Sequence, residues 1–394
     1  MKQELVALTG NDAVAYAFKQ AKPHVASAFP ITPQTEMMHK FAEFIANGEV
    51  DTEMILVESE HSAMSAAVGS CAAGARTITA TSSAGFALMW EVLYIAASLR
   101  LPISMAVVNR ALSGNINIHN DHSDAMGGRD AGWIQLYSEN AQEAYDYGLM
   151  AFRIGEHPDV RLPVMVNYDG FIISHTADAL YMLPDAAAYD FIGPYKPAYS
   201  LLDVENPITI GPLDLTDYYF EHKVSEMEAH NKAFEIVRAI HEEFGHLTGR
   251  TYDFFEAYRL DDAEIVLVIL GSTAGTAKDV IDEYRERGVK VGMLKVRLFR
   301  PFPAAEIASA LSGMKVVGVM DKSVSFGGWG GPVFTEIRSA LYQSLNGMPP
   351  VHNWIYGLGG RDTDMNQIAE VIEALREIAQ GKPMDPVNLL GVRL

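Results

Sequence analysis

The first 180 residues alternate between short apolar runs, polar loops and segments with helical periodicity. The apolar runs predict strands at 25–29, 54–57, 77–80, 102–108 and 162–167. The periodic segments predict helices at 34–45, 62–75 and 141–154, and another between residues 85 and 99. Strands that are apolar on both faces and alternate with helices predict an α/β fold built on a doubly wound parallel sheet.

Polar residues follow these strands where each strand ends. Ligands of such sheets bind beyond the carboxyl ends of the strands, because parallel strands all end at the same edge. The residues that we expect to meet at this edge are Thr32, Glu58, Glu60, Ser82, Ser83, Asn109, Arg110 and Asp169.

The pattern changes after residue 188, which divides the chain into units at 1–188, 189–262 and 263–394. The middle unit is rich in Tyr, Pro and Asp, and its one amphipathic helix, at about 221–243, predicts a connecting segment packed over the surface. In the last unit, strands at 265–270, 289–296 and 315–320 and helices at 276–287 and from about 332 predict a second α/β unit.

Two glycine-containing loops in the last unit can each be interpreted in two ways, as a ligand site or as a packing contact. The loop at 271–275 follows a strand and opens a helix, so it has room for an anion or simply lets strand and helix pack tightly. It matches neither the dinucleotide fingerprint nor the P-loop. The loop at 326–331 suits an interface as well as it suits a ligand.

The net charge and the hydropathy of the chain argue against nucleic acids and membranes as partners. A formal net charge of −20 argues against nucleic acid, which needs clustered Lys and Arg. No apolar run is long enough for a transmembrane helix, and the first residues lack the apolar run of a signal peptide. We therefore expect a cytoplasmic protein without a membrane partner. Its hydropathy is high for so acidic a chain, which suggests buried subunit interfaces.

Cys71 is the single cysteine of the chain. A lone cysteine excludes a disulfide within the chain and an iron–sulfur cluster held by four cysteines of this chain. Its neighbours are small and apolar, so core packing is favoured over a role as nucleophile.

The densest polar segment runs from residue 109 to residue 133. It contains His119, Asp121, His122 and Asp124, whose spacing fits no established zinc pattern, so we expect no metal site there. Arg110 lies where a strand ends. Its guanidinium can clamp a carboxylate through two parallel hydrogen bonds, or it can form a structural ion pair, and this segment alone leaves both open.

Glu60 lies at the start of a helix whose residues are nearly all small and uncharged. An acid at a helix start is common on surfaces, because the helix dipole favours it there. A helix of small residues must be buried on most sides, however. The carboxyl of Glu60 would then be desolvated and able to share a proton with a ligand.

Six loop motifs, taken together, resemble the alpha subunits of the 2-oxoacid:ferredoxin oxidoreductases, and above all those that act on pyruvate. The resemblance covers about residues 7–380, with the motifs in the family's order and spacing. They are FPITP at 29–33, VESEH at 57–61, NRALS at 109–113, DHSD at 121–124, RDAGW at 129–133 and DGFIISH at 169–175.

The resemblance implies a fold and a set of partners. The first unit should be the pyrimidine-type thiamine-diphosphate-binding domain and the last a transketolase C-terminal-like domain. A beta subunit should supply the diphosphate- and magnesium-binding half, and gamma and delta parts should hold the iron–sulfur clusters. The chain itself has no Gly-Asp-Gly motif for magnesium and no cysteine cluster.

The resemblance also implies roles for individual residues. Glu60 would hydrogen-bond the aminopyrimidine ring of the cofactor and favour the tautomer that takes up a proton, with Pro30 and Ser83 beside it. Thr32 would contact both cofactor and substrate, bonding the substrate carboxylate, and Arg110 would pair with that carboxylate. The expected reaction is oxidative decarboxylation of a 2-oxoacid to an acyl-coenzyme A, with electrons passing to ferredoxin through clusters in other subunits.

One departure from the family concerns the loop after the NRALS motif, residues 114–121, which borders the substrate pocket in the family and is called the substrate loop below. Many pyruvate enzymes have a proline soon after the NRALS motif, whereas this chain has Gly114 and Asn115. A roomier pocket would admit an aryl or branched 2-oxoacid such as phenylglyoxylate, with ferredoxin or NAD as acceptor. A non-catalytic scaffold and a transketolase-like transferase are the alternatives from other classes. Intact Thr32, Glu60 and Arg110 argue against the scaffold.

Overall fold

The structure is a computed structural model that describes residues 2–342 and 348–393. The strands are β1 (Glu4–Thr9), β2 (Val25–Ala28), β3 (Glu53–Leu56), β4 (Thr77–Thr81), β5 (Ser104–Asn109), β6 (Ile134–Tyr137), β7 (Val164–Asp169), β8 (Ala177–Met182), β9 (Phe255–Tyr258), β10 (Ile265–Leu270), β11 (Val291–Val296), β12 (Leu298–Arg300), β13 (Val316–Asp321), β14 (Val351–Ile355) and β15 (Val387–Leu389). The helices are α1 (Gly10–Ala21), α2 (Thr35–Ala46), α3 (Glu60–Ala72), α4 (Ser83–Leu88), α5 (Trp90–Ser98), α6 (Ser123–Gly127), α7 (Ala141–Gly155), α8 (Asp185–Ile192), α9 (Tyr219–Thr248), α10 (Thr273–Glu286), α11 (Ala304–Leu311), α12 (Pro332–Leu341) and α13 (Met365–Ala379).

The first sheet has seven strands in the order β12-β6-β7-β5-β4-β2-β3. Its strands pair in parallel except for β12, which runs antiparallel to β6. Because β3 lies on one side of β2 and β4 on the other, the chain reverses its direction across the sheet at this point. This reversal confirms the predicted doubly wound sheet and opens a crevice at the carboxyl ends of these strands.

Both faces of the first sheet are covered, as its apolar strands require. Along β5, Met105 and Val107 belong to one hydrophobic cluster, whereas Ala106 and Val108 belong to another. Adjacent residues of a strand face opposite sides of the sheet, so the two clusters are the two helical layers. Helices α1 and α7 pack on one face and α3 and α5 on the other.

The five strands predicted for the first 180 residues are all present, with ends that differ by one or two residues. Helix α3 begins at Glu60 rather than at residue 62, because the Ser59 hydroxyl caps it by accepting a hydrogen bond from the Ser62 N–H. The hydrophobic pattern did not predict β1, α1, β6 or β8. Strands β1 and β8 form a separate antiparallel pair, whose outward positions are largely exposed.

The second sheet has six strands in the order β15-β14-β13-β10-β11-β9. They are parallel except for β9, which comes from the predicted connecting segment and pairs antiparallel with β11. The amphipathic helix of that segment, α9, is longer than predicted and packs its apolar side, including Val237 and Phe244, against the first sheet's core. Strand β12 belongs by sequence to the last unit but completes the first sheet. The two sheets are therefore tied together by backbone as well as by side chains.

None of the helices in the described ranges is long and apolar enough to cross a lipid bilayer.

A cluster of charges is buried where the two sheets meet. Glu139 and Glu143, at α7, lie close enough to Glu256 of β9 to share a metal ion, and they are the one such group among the described residues. Lysine and arginine side chains already occupy the space between them. The Lys295 Nζ lies 2.8 Å from Glu143 and 2.7 Å from Glu256, and the Arg297 guanidinium lies 2.7 Å from Glu143. The cluster is therefore an ion-pair network.

We expect Lys295→Met to destabilise the protein by about 3–5 kcal/mol, because it leaves buried carboxylates without their central cation. Urea denaturation followed by tryptophan fluorescence measures this loss. The matched control is Lys315→Met, since Lys315 pairs with Glu264 on the exposed surface. The control should barely change the midpoint, and an equal effect of both variants would contradict the importance of the buried network.

Candidate active site

The carboxyl edge of the first sheet gathers the residues that the strand pattern predicted to meet. Arg110, at the end of β5, donates a hydrogen bond to the carbonyl of Thr32, which follows β2. The carboxylate of Asp124 accepts hydrogen bonds from the backbone of Ser83, after β4, and of Arg110. Glu58 lies on the exposed surface instead, where it accepts a hydrogen bond from a neighbouring serine.

Glu60 is the first residue of α3, and only 6% of it is exposed. Among the described residues, no group forms a hydrogen bond or an ion pair with its carboxyl. The hydroxyl of Thr81, which lies against the same face of Gly85 as the Glu60 carboxyl, is buried and also has no partner in the described part of the chain, and neither has the buried hydroxyl of Ser82. Because buried polar groups are nearly always paired, this group of oxygens is suited to a polar ligand.

Gly85 makes room for the Glu60 carboxyl. A methyl group placed on Gly85 would lie 2.5 Å from Glu60 Oε1 and 2.6 Å from Thr81 Oγ1, which is closer than carbon and oxygen can approach. The glycine at this position, in helix α4, is therefore a steric requirement of the Glu60 carboxyl. The small residues of the loop after β4 were the signal for this contact in the sequence.

Pro30 and Thr32 lie in the exposed loop between β2 and α2, where Thr32 precedes a cis proline, Pro33. The backbone carbonyl of Thr32 faces the sheet edge and accepts the hydrogen bond from Arg110 Nη1 at 2.8 Å. Thr32 itself is exposed, and its hydroxyl has no hydrogen-bond partner among the described residues.

The Arg110 guanidinium is buried, with 6% of the residue exposed, and faces the same edge. Its Nε donates to the carbonyl of Asn117 at 2.9 Å and its Nη1 to that of Thr32. No carboxylate of the described residues lies within ion-pair distance, so the structure does not contain the structural ion pair that the sequence left open. Burial lowers the pKa of Arg110 below its ordinary value. A guanidinium in a protein is nevertheless charged at neutral pH. Its Nη2 has no acceptor among the described residues.

Asp124 holds two of these loops together. Its carboxylate accepts hydrogen bonds from the N–H groups of Ser83 and Arg110, each at 2.9 Å, and from Asn109 and Ala125 at 3.0 and 2.7 Å. Ser83 has a left-handed backbone, with φ of 47°, which its bond to Asp124 helps to hold. Burial raises the pKa of Asp124 to about 6, although its four N–H donors favour the carboxylate.

The other histidine and aspartate residues between positions 119 and 122 face separate partners. The His119 ring lies tilted against the Phe171 ring, with centroids 5.1 Å apart, and Asp121 accepts a hydrogen bond from the Gly359 N–H. His122 lies 2.8 Å from Asp169. Since these side chains diverge, the described structure does not assemble them around one point, as a metal site requires.

Asp169, at the end of β7, connects the two sheets. Its carboxylate lies 2.9 Å from the Lys322 Nζ, accepts hydrogen bonds from Ser272 and contacts His122. Burial alone would raise the pKa of Asp169, but the charges of Lys322 and His122 outweigh burial and hold the pKa well below its ordinary value. Gly271 packs against this carboxylate, where a methyl group would lie 3.0 Å from Oδ1. The loop at 271–275 is thus used for close packing between the sheets.

Two further sequence features have clear places in the structure. Cys71 is buried, and burial raises the pKa of its thiol to about 12, which agrees with core packing. The loop at 326–331 is on the surface, with Phe326 93% and Trp329 61% exposed, and the Arg338 guanidinium stacks 4.4 Å above the Trp329 ring.

Comparison with known proteins gives two matching families and a set of relatives. Residues 16–242 match the family described as pyruvate flavodoxin/ferredoxin oxidoreductase, thiamine diphosphate-binding. Residues 263–368 match pyruvate:ferredoxin oxidoreductase core domain II. Pyruvate synthase subunit PorA of Thermotoga maritima is 55% identical over 94% of each chain. Ketoisovalerate oxidoreductase subunit VorA of Pyrococcus abyssi is 44% identical over 96% of this chain and 95% of its own.

A solved structure shares the fold. It is a 2-oxoglutarate:ferredoxin oxidoreductase from Magnetococcus marinus with 2-oxoglutarate, coenzyme A and succinyl-CoA bound. It superposes with a TM-score of 0.73 at 20% identity, over 94% of this chain and 65% of that one. This chain therefore spans about two thirds of that larger protein.

We expect Asp124→Asn to change how stability depends on pH. Because the pKa of Asp124 is raised from its ordinary value of 3.8 to about 6, the folded state binds this proton more tightly than the unfolded chain. The resulting contribution to stability is complete below about pH 4 and is lost as the pH rises through about 6, a change of roughly 3 kcal/mol. Between pH 4 and pH 7, the free energy of unfolding of the wild type should therefore fall by roughly 3 kcal/mol relative to that of Asp124→Asn. Urea denaturation at a series of pH values measures this difference.

The control for this measurement is Asp130→Asn, because the side chain of Asp130 is 69% exposed. Its stability should run parallel to that of the wild type across the whole pH range. Parallel curves for Asp124→Asn as well would show that the Asp124 carboxyl titrates alike in the folded and unfolded chains.

Proposed function

Because the chain belongs to the pyruvate flavodoxin/ferredoxin oxidoreductase family, we propose that it is the thiamine-diphosphate-binding alpha subunit of an enzyme that oxidatively decarboxylates pyruvate. Family membership confirms the resemblance drawn from the loop motifs. In the proposed reaction, pyruvate and coenzyme A give acetyl-coenzyme A, carbon dioxide and a proton, and two electrons pass one at a time to oxidised ferredoxin. One observation carries this proposal: Glu60 and Arg110 are both buried near the same sheet edge, and neither has an oppositely charged partner among the described residues.

The residues around Glu60 fit the pyrimidine half of the cofactor. Thiamine diphosphate, when bound, supplies the carbon nucleophile that adds to the 2-oxo group and accepts the electrons left when carbon dioxide departs. Glu60 holds a proton against the aminopyrimidine ring, and its burial excludes water that would compete for the hydrogen bond. Gly85 gives the Glu60 carboxyl the space that it needs, and the unpartnered hydroxyl of Thr81 beside it is free to contact the ligand. We assign Pro30, Thr32 and Ser83 to the same cofactor site.

Arg110 and Thr32 suit the carboxylate of the substrate. Two donors of the Arg110 guanidinium are already bound to carbonyls of the chain, so its orientation is set before substrate arrives. Its Nη2 and the Thr32 hydroxyl are the groups we assign to the substrate carboxylate. A charge-assisted hydrogen bond in a desolvated site is among the stronger polar contacts in proteins.

The remaining parts of the enzyme belong to other subunits in this proposal. A beta-type subunit supplies the diphosphate- and magnesium-binding half of the cofactor site, and gamma- and delta-type parts carry the iron–sulfur clusters. Within this chain we propose a pyrimidine-binding domain at 1–188, a connecting segment at 189–262 and a transketolase C-terminal-like domain at 263–394. We also propose a cytoplasmic location, which the single cysteine suits.

The substrate loop supports a second candidate with the same chemistry. Gly114 and Asn115 are exposed, and a methyl group placed on Gly114 would meet nothing within 4 Å. This open loop, and the relative named for ketoisovalerate, favour a branched or aryl 2-oxoacid as the alternative substrate.

We expect Glu60→Gln to lower kcat by about 100-fold or more, because an amide cannot hold and release the proton that the ring requires. The assay is 2-oxoacid- and coenzyme A-dependent viologen reduction by the assembled complex, with size-exclusion chromatography to confirm assembly. A second readout is near-ultraviolet circular dichroism of the cofactor-loaded complex. The signal of the aminopyrimidine tautomer that Glu60 favours should be lost in the variant. Glu58→Gln is the matched control, since Glu58 is exposed two residues away and should retain both activity and band. Normal turnover in Glu60→Gln would show that another group is the acid.

Comparison of 2-oxoacids on the native complex tests the choice of substrate. We expect iron–sulfur absorbance, and a kcat/KM for pyruvate above those for ketoisovalerate and phenylglyoxylate. A preference for phenylglyoxylate or a branched acid would support the alternative, and ferredoxin and NAD compared in parallel identify the acceptor. A colourless preparation without coenzyme A-dependent turnover would favour the scaffold.

A further inference from the structure

A glycine turn in the second half of the chain contacts the loop that supports Arg110. The glycine turn comprises residues 357–360 and follows β14, at the carboxyl edge of the second sheet. Gly357, Gly359 and Gly360 all have a left-handed backbone, with φ of 64°, 62° and 76°. Such φ values are costly for other residues, so the turn is built for close backbone approach.

The glycine turn is bound to the substrate loop through two hydrogen bonds between the Gly359 backbone and side chains of that loop. The Asn117 side-chain amide donates to the Gly359 carbonyl at 3.0 Å, and the Gly359 N–H donates to Asp121 at 3.0 Å. A methyl group placed on Gly359 would lie 2.5 Å from Asn117 Nδ2, and one on Gly360 would lie 2.3 Å from the Cβ of His119. Any side chain here would push the substrate loop away.

Asn117 contacts both the glycine turn and the Arg110 guanidinium. Its backbone carbonyl accepts the hydrogen bond from Arg110 Nε at 2.9 Å, while its side chain is held by Gly359. Ile116 is 82% and Ile118 41% exposed, so neither side chain anchors the loop in the core. Within the loop, the Asn117 Oδ1 accepts a hydrogen bond from the His119 N–H at 2.7 Å, and the His119 carbonyl accepts one from the Ala111 N–H at 3.0 Å. The glycine turn adds the contact with the Asn117 side chain that comes from outside the loop, and so helps to position one of the two carbonyls that hold Arg110.

We propose that the glycine turn is a positioning element for substrate: it holds Asn117, which orients the Arg110 guanidinium toward the 2-oxoacid carboxylate. This inference rests on the proposed function of Arg110. It gives the second α/β unit a role in substrate recognition. Asn117 and Gly359 act through Arg110 and are positioning residues.

The test compares Gly359→Ala with Gly381→Ala in the complete enzyme. Both glycines have a left-handed backbone, so alanine brings a similar conformational penalty at each. A methyl group at Gly381 would meet nothing within 4 Å, whereas at Gly359 it would meet Asn117. We expect Gly359→Ala to raise KM for the 2-oxoacid about tenfold, within the range of couplings through contact networks, with little change in kcat. Gly381→Ala should leave both constants unchanged.

Asn117→Ala keeps the test informative if Gly359→Ala fails to assemble. It retains the backbone carbonyl that holds Arg110 but removes the link to the turn, so KM should rise in the same direction. The double variant should raise KM no further than the larger single effect, because both changes break one connection.

Arg110→Ala serves as the reference that separates the two proposals. A raised KM in Arg110→Ala with an unchanged KM in both Gly359→Ala and Asn117→Ala overturns the positioning role alone. An unchanged KM in Arg110→Ala overturns the proposed role of Arg110 in binding the substrate carboxylate, and the inference with it. If Gly359→Ala lowers the unfolding temperature but leaves KM unchanged, the glycine turn contributes to stability and does not position Arg110.

Discussion

The ion pair between Asp169 and Lys322 joins the carboxyl edges of the two sheets, and the site lies along these edges. Each partner comes from the carboxyl end of a strand in a different sheet, and both are almost fully buried. A charge buried here would be strongly unfavourable alone, so the pair is stable only when both edges are in contact. Lys322 also flanks the glycine turn, since a methyl group on Gly357 would lie 3.4 Å from its side chain. The Asp169–Lys322 ion pair therefore lies beside the glycine turn, whose Gly359 binds the Asn117 that holds Arg110.

Local sequence was sufficient to predict five of the seven strands of the first sheet, all except β6 and β12, and the edge on which the site lies. A buried parallel strand must be apolar on both faces, and this requirement is visible in short runs such as β5 and β7. The polar residues that follow such strands share an edge by topology, so Arg110 and Thr32 were expected to be neighbours, and they are hydrogen-bonded. The burial of Glu60 could likewise be predicted, because a helix of small, uncharged residues cannot face water on most sides.

The groups that hold the site in place could not be predicted, because their partners are remote in the chain. Asn117 and Gly359 are 242 residues apart, and Lys322 and Asp169 are 153 residues apart. Nothing in the local pattern distinguishes Asp124 from the neighbouring acids, although it alone accepts hydrogen bonds from both Ser83 and Arg110. Strand β12 shows the same limit, since its pairing with β6 in the first sheet is set by tertiary contacts.

The two ends of the proposed site differ in how complete they are within this chain. Arg110 is held by two carbonyls before any ligand binds, and the glycine turn supports one of them, so little conformational entropy remains to be lost there. Glu60 is buried without a partner in the described structure, and β3 next to it is an edge strand with Leu56 79% exposed. A desolvated carboxyl gains most from a ligand that supplies its missing hydrogen bond. The substrate end is thus organised by folding, whereas the cofactor end acquires its full set of contacts only when ligand and partner are in place.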